Sequence, residues 1–184
     1  MATSQMTEVE GIPVKVVHRA GMRSVRIRVD DAGLCVVSAG PRVSAEEMLG
    51  YVRRKIDWVR ARREERFGSP AFVAANATKA QVEEWRAVVK ACVPPLVEAW
   101  EPILGVKVGS LAYRNMTSKW GSCQPGTGRV CINIRLALYP PECLEYVVVH
   151  ELCHLIEANH GPRFWGLMDH VMPDWKERQE KLRH

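Results

Sequence analysis

His150, Glu151 and His154 stand in the order H-E-x-x-H, and His160 follows six residues later. A helix turns ~100° per residue, so His150 and His154 share a face one turn apart and two imidazoles can grip one ion. Glu151 is rotated off that face. In this motif it flanks the ion, where it can take a proton from a metal-activated water. The chemistry is hydrolysis. A tetrahedral zinc that does chemistry needs a third protein ligand and an open position. His160 reaches back only if the helix stops, and Ala158-Asn159 is the predicted stop, because asparagine tolerates a left-handed turn. Glu157 is the rival ligand: it falls seven residues after His150, and one more helical turn would bring it round, or let it orient a ligand from behind. Imidazole is the common third zinc ligand, which favours His160. The plain alternative is a pair of hydrogen-bonded core histidines plus a surface one. It leaves a buried ionisable trio without the partner that a cation supplies.

The elements that must position this segment can be read from periodicity. Pro140-Pro141 opens the histidine helix, since proline suits a first turn. Val147, Val148, Leu152 and Leu155 cover its other faces, so it should be buried. Before it, two extended stretches run from Val106 to Arg114 and from Arg129 to Ile134, joined by the small-residue loop NMTSKWGSCQPGTG. Thr78 caps a helix through Gln81, Trp85 and Val89, which Pro94-Pro95 should kink or break before it resumes and stops near Gly105. Short helices from about Pro162 and from Asp174 end the chain. Upstream, Ile12–Val17, Ser24–Val29 and Leu34–Val37 read as strands, the last two joined by a turn at Asp30-Asp31-Ala32-Gly33. Ser44 and Glu47 form a capping box opening one helix to about Phe67, and residues 70–78 read as a linker. The expected organisation is an N-terminal β-strand and helix region over 1–69 and a second domain over 78–184.

The 184 residues hold 26 basic and 21 acidic side chains, net +5, which permits an anionic partner without requiring one. The basic run YVRRKIDWVRARREER points to nucleic-acid attraction or, more simply, to a solvated helix face with internal Glu/Arg pairing. No apolar run is long enough to span a bilayer. The start, MATSQMTEVEG, lacks the basic and apolar segments of a secretory signal, so the expected location is cytoplasmic. Six scattered cysteines without a Cys-x-x-Cys pair fit a reduced set.

The segment HELCHLIEANHGPRFW resembles the zincin metallopeptidases. The wider stretch RNMTSKWGSC…GRVCINIRLALYPPECLEYVVVHELCHLIEANHGPRFW is similar to the YgjP-like metallopeptidases, relatives of the SprT and WLM groups. The likeness is dense from Arg114 to Trp165 and looser elsewhere. It implies an α+β, zincin-like domain preceded by a small N-terminal β-sheet plus a long helix. It also implies zinc (Zn2+) on His150, His154 and His160, with Glu151 catalytic. In zincins the strand before the active-site helix offers its edge to an extended peptide, a role that falls here to Arg129–Ile134. Glu157 stands where the metzincins have glycine, so the turn differs from theirs, and Met168 and Met172 read as core residues.

The expected reaction is peptide-bond hydrolysis on a peptide or protein substrate. The alternative is a nucleotide substrate, cleaved by a metal-dependent nucleoside triphosphate pyrophosphatase, since Arg114, Lys119, Arg129, Arg135 and Arg163 crowd the motif in sequence. Lys119, Arg135, Tyr139 and Arg163 are the candidates for stabilising an oxyanion. The loop Thr117–Cys123 is expected to line the cleft, with Cys123 a buried structural residue. Phe164 and Trp165 should hold the His160 segment, and Asp169 and His170 are placed towards solvent.

Overall fold

The computed structural model describes residues 3–182. The chain divides into two compact units, Met1–Asn76 and Ala77–His184. The class is α+β, with two small sheets and seven α-helices among the described residues.

The first unit is a four-stranded sheet with helices packed on one face. β1 (Thr3–Val9) and β2 (Ile12–His18) form an antiparallel hairpin. Glu10 and Gly11, at φ 49° and 76°, close it as a two-residue turn. β1 lies outside the stretch that reads as strand, because TSQMTEV is polar and sits at the sheet edge. β3 (Arg26–Val29) and β4 (Cys35–Ala39) form a second hairpin, and β4 inserts between β2 and β3 in the order β1-β2-β4-β3, parallel to β2. Val14, Val16 and Val37 pack with Met48, Val52 and Val59 of the helices.

The single helix expected from Ser44 is two: α1 (Ala45–Arg54) and α2 (Ile56–Arg66), broken at Lys55. The charges suit the break. Arg53 and Arg54 occupy the last turn of α1 and Asp57 the first turn of α2, each where the helix dipole favours it. The Ser44–Glu47 capping box is present. Ser69 caps a further short helix, α3 (Pro70–Ala75), where a linker was expected.

In the second unit, α4 (Lys79–Leu104) continues through Pro94 and Pro95 as one helix, unbroken. Each proline removes a helix hydrogen bond, at ~3 kcal/mol. Val89, Val93 and Val97 line one face and are buried against the core, at about 1.5–3 kcal/mol each. Packing therefore offsets the lost bonds and carries the helix across. β5 (Ser110–Arg114), β6 (Gly121–Gln124) and β7 (Arg129–Asn133) form a sheet in the order β5-β7-β6. β6 lies inside the segment read as loop. β7 is paired on both sides, so it offers no edge; the outer strands are β5 and β6. Val130 and Ile132 of β7 join the buried face of α5 (Pro141–Cys153) in one core with α4. α6 (Pro162–Val171) and α7 (Trp175–Lys181) complete the unit.

Candidate metal centre

α5 starts where its prolines predict and is buried along most of its length, but it stops at Cys153, five residues before the expected stop. Asn159 does not make the turn: Glu10 is the one non-glycine residue with positive φ among those described. The end is tightened instead by short bonds from Leu155 N–H to Leu152 O and from Ile156 N–H to Cys153 O. The His154 ring pairs through Nδ1 with the Glu157 carbonyl at 3.0 Å, fixing that ring beyond the helix end. The chain then turns through His160, and Pro162 opens α6.

The result is convergence. His160 Nε2 lies 2.9 Å from His150 Nε2 and 3.1 Å from His154 Nε2. These three residues form a group able to hold a metal ion. Glu157 is not in it: its carboxylate meets Arg163 at 2.6 Å. Phe164 of α6 is fully buried, and its ring centroid lies 4.9, 4.5 and 4.8 Å from those of His150, His154 and His160. One aromatic ring thus backs all three imidazoles. Trp165 stacks on His160 at 5.5 Å and on Trp175 at 4.6 Å, and Asp169 accepts the Trp175 indole N–H at 2.7 Å. Met168 and Met172 are buried core residues, and His170 is exposed.

Burial pushes the His150 pKa down to about 3, helped by its neighbours His154 and His160. That ring is therefore held neutral, the form that ligates a cation. Burial likewise pushes Glu151 up to about 8, against the pull of Lys119. Glu151 is 5% exposed, and its Oε2 has no protein partner. Its carboxylate lies against Gly121 of β6, where a Cβ would stand 2.7 Å from Glu151 Cγ and 2.8 Å from Cδ. Gly121 is thus required for close approach.

A cleft of about 540 Å³ opens over these groups. The Lys119–Cys123 segment forms one wall, as expected of that loop, and Tyr146 and Gln179 also line the cleft. Of the four candidates for oxyanion stabilisation, Lys119 alone lines the cleft. Arg135 is turned to Asn115 at 2.7 Å, Arg163 to Glu157, and Tyr139 to the Trp120 ring. The arginines that crowd the motif in sequence do not crowd the site. Buried Asn133 holds the wall in place: its Nδ2 donates to Met116 O and Lys119 O, both at 2.9 Å. Cys123 is part of that wall, and burial raises its thiol pKa to about 11. Tyr146 was missed in the sequence, although it sits one turn before His150 on the same face; its hydroxyl accepts from Gln179 at 3.0 Å. Nothing local in the sequence points to Gln179.

On the basic helices, Arg53, Arg60, Arg62 and Arg66 each meet a carboxylate, which supports the solvated, paired face over nucleic-acid attraction there. Among the described residues no helix is long and apolar enough to cross a membrane.

A family model described as "YgjP-like, metallopeptidase domain" matches residues 63–184, which takes in the whole second unit. Two solved structures resemble the chain. The metallopeptidase zymogen of Pyrococcus abyssi abylysin is 23% identical, with a TM-score of 0.45 over 49% of this chain and 90% of that one. The metallopeptidase zymogen of Methanocaldococcus jannaschii jannalysin is 21% identical, with a TM-score of 0.41 over 51% and 92%. No curated protein matches. With two thirds of its length under that model, and the histidines within it, the chain belongs to the YgjP-like metallopeptidase-domain family.

Proposed function

We propose that this protein is a zinc-dependent metallopeptidase in which His150, His154 and His160 hold the ion and Glu151 is the general base. The observation that carries the reading is the meeting of three Nε2 atoms beside a buried carboxylate with an unpartnered oxygen. The donor set fits the metal. Nitrogens bound at ~2.0–2.1 Å to one tetrahedral ion stand roughly 3.3–3.4 Å apart, close to the 2.9 and 3.1 Å found here. A three-imidazole set suits zinc better than calcium or magnesium. When bound, zinc supplies Lewis acidity, polarising the scissile carbonyl and lowering the pKa of water from 15.7 towards roughly 7.

The remaining steps belong to the chain's own side chains. Glu151 accepts a proton from the attacking water and delivers it to the leaving amine. Lys119, in the cleft wall, meets the negative charge that develops on the carbonyl oxygen. β6 borders the same cleft and is one of the two outer strands of its sheet, so an extended peptide can add to it through backbone bonds, with little demand on sequence.

The test is cleavage of denatured casein by zinc-loaded protein, with Glu151→Gln as control. Cleavage should fall by about 10²–10⁴ in the variant. Equal cleavage by both proteins would remove Glu151 from the mechanism, and no cleavage by either would remove the peptidase reading.

A further inference from the structure

The helices of the first unit pack on one face of its sheet, and the other face carries cations. In register, Arg28 stands beside Val36, which stands beside Lys15; Arg26 stands beside Ser38, which stands beside Val17. Alternation along β2, β3 and β4 therefore places Lys15, Arg26 and Arg28 on the side opposite the Val14, Val16 and Val37 core. Arg19 and Arg23 join them from the β2–β3 connection. Two cavities of about 610 and 520 Å³ lie on this face and share Arg19, Arg28 and Val36. The four arginines are exposed, yet Val36, Val17 and Ser38 beneath are 3, 6 and 9% exposed. The long aliphatic stems cover the floor and hold the charges up.

None of these five side chains has an ion-pair or hydrogen-bond partner among the described residues. The acids of the unit are engaged elsewhere. Asp31 meets Arg66, Glu10 meets Arg60, and Asp30 accepts the backbone N–H groups of Ala32 and Leu34. Glu8 stands at the far end of the β1–β2 hairpin, opposite Pro13. A row of unpaired like charges disfavours the free protein. A partner that brings a regular series of anions would relieve it.

We propose that this sheet face binds the backbone of single-stranded nucleic acid. Two strand spacings put Arg28 and Lys15 about 10 Å apart across a shallow furrow, and Arg26 and Arg28 are about 6.7 Å apart along it. Four of the five cations are arginines, whose planar forks match phosphate oxygens in pairs. The charges lie on the face of the sheet, not at its edge, so an acidic peptide could add no backbone bonds there. A phosphodiester strand carries its anions in its own backbone and needs none. The face has no aromatic ring, so bases gain no stacking platform and binding should be indifferent to sequence.

The experiment is fluorescence anisotropy of the full chain with labelled DNA and RNA oligonucleotides about 20 nucleotides long, at about 50 mM salt and above. Binding of both is expected. Arg26→Ala/Arg28→Ala should weaken it at least tenfold and reduce the salt slope by about 1.4, because each phosphate neutralised on a single strand contributes ~0.7. Arg60→Ala/Arg62→Ala, on the helix side, should leave it unchanged, and an unchanged melting temperature should show that the sheet variant is folded. No binding at low salt, equal binding by the sheet variant, or displacement by polyglutamate as effective as by unlabelled oligonucleotide would each overturn the proposal.

Discussion

Gly121 and the Glu151 carboxylate are packed so closely that no side chain fits between them. A Cβ at position 121 would stand 2.7 Å from Glu151 Cγ. A glycine on an outer strand of the sheet thus sets the position of the proposed base on the helix.

Gly121→Ala should therefore displace Glu151 by about an ångström, and such a shift costs roughly 10²-fold in rate. Casein cleavage measures the loss. Zinc content should stay at the wild-type level, because position 121 does not touch the imidazoles. Loss of zinc together with activity would mean that the strand, not the carboxylate, had moved.

Removing the metal should destabilise the second unit. A ligand at one hundred times its dissociation constant adds about 2.7 kcal/mol to the folded state. A chelator should lower the melting temperature of the wild-type protein and leave that of His160→Ala unchanged. Equal shifts in both would place the ion elsewhere.

Phe164 is fully buried and backs all three imidazoles. Phe164→Ala should cost about 3–5 kcal/mol by denaturant unfolding. Phe164→Leu keeps most of the volume but removes the flat ring. It should weaken zinc retention against a competing chelator more than it lowers stability; an unchanged zinc affinity would make Phe164 a packing residue only.

Glu101 closes the C-terminal end of α4. Its carboxylate accepts from Lys107 Nζ at 2.5 Å and from the Val108 N–H at 2.8 Å, and these bonds, the lysine's first, hold its pKa below the usual 4.5. A carboxyl lowered on folding contributes stability above its unfolded pKa and loses it as the pH falls through the folded one. Glu101→Gln should therefore cost about 1–3 kcal/mol at neutral pH. The gap to wild type should close as the pH drops below 4.5. A gap that persists in acid would show that the carboxylate charge is not what matters.

Several elements were legible in the sequence because their signals are short. The capping box at Ser44, the cap at Thr78, the prolines opening α5 and α6, and the His150–His154 spacing all act within one turn of chain. Where distant packing competes with local preference, the reading failed. α4 crosses Pro94-Pro95 on the strength of its buried valines, and β6 is a strand because β7 pairs with it, although GSCQ has no strand pattern of its own.

By itself the sequence determined the one-turn spacing of His150 and His154, their acidic neighbour and the nearby third histidine, since the helical repeat is a property of adjacent residues. Only the tertiary structure decided that Gly121 meets Glu151, that Asn133 pins the loop bearing Lys119 at the cleft, and that Phe164 backs three rings. Those meetings depend on strand order, register and helix packing between segments far apart in the chain, and no local periodicity encodes them.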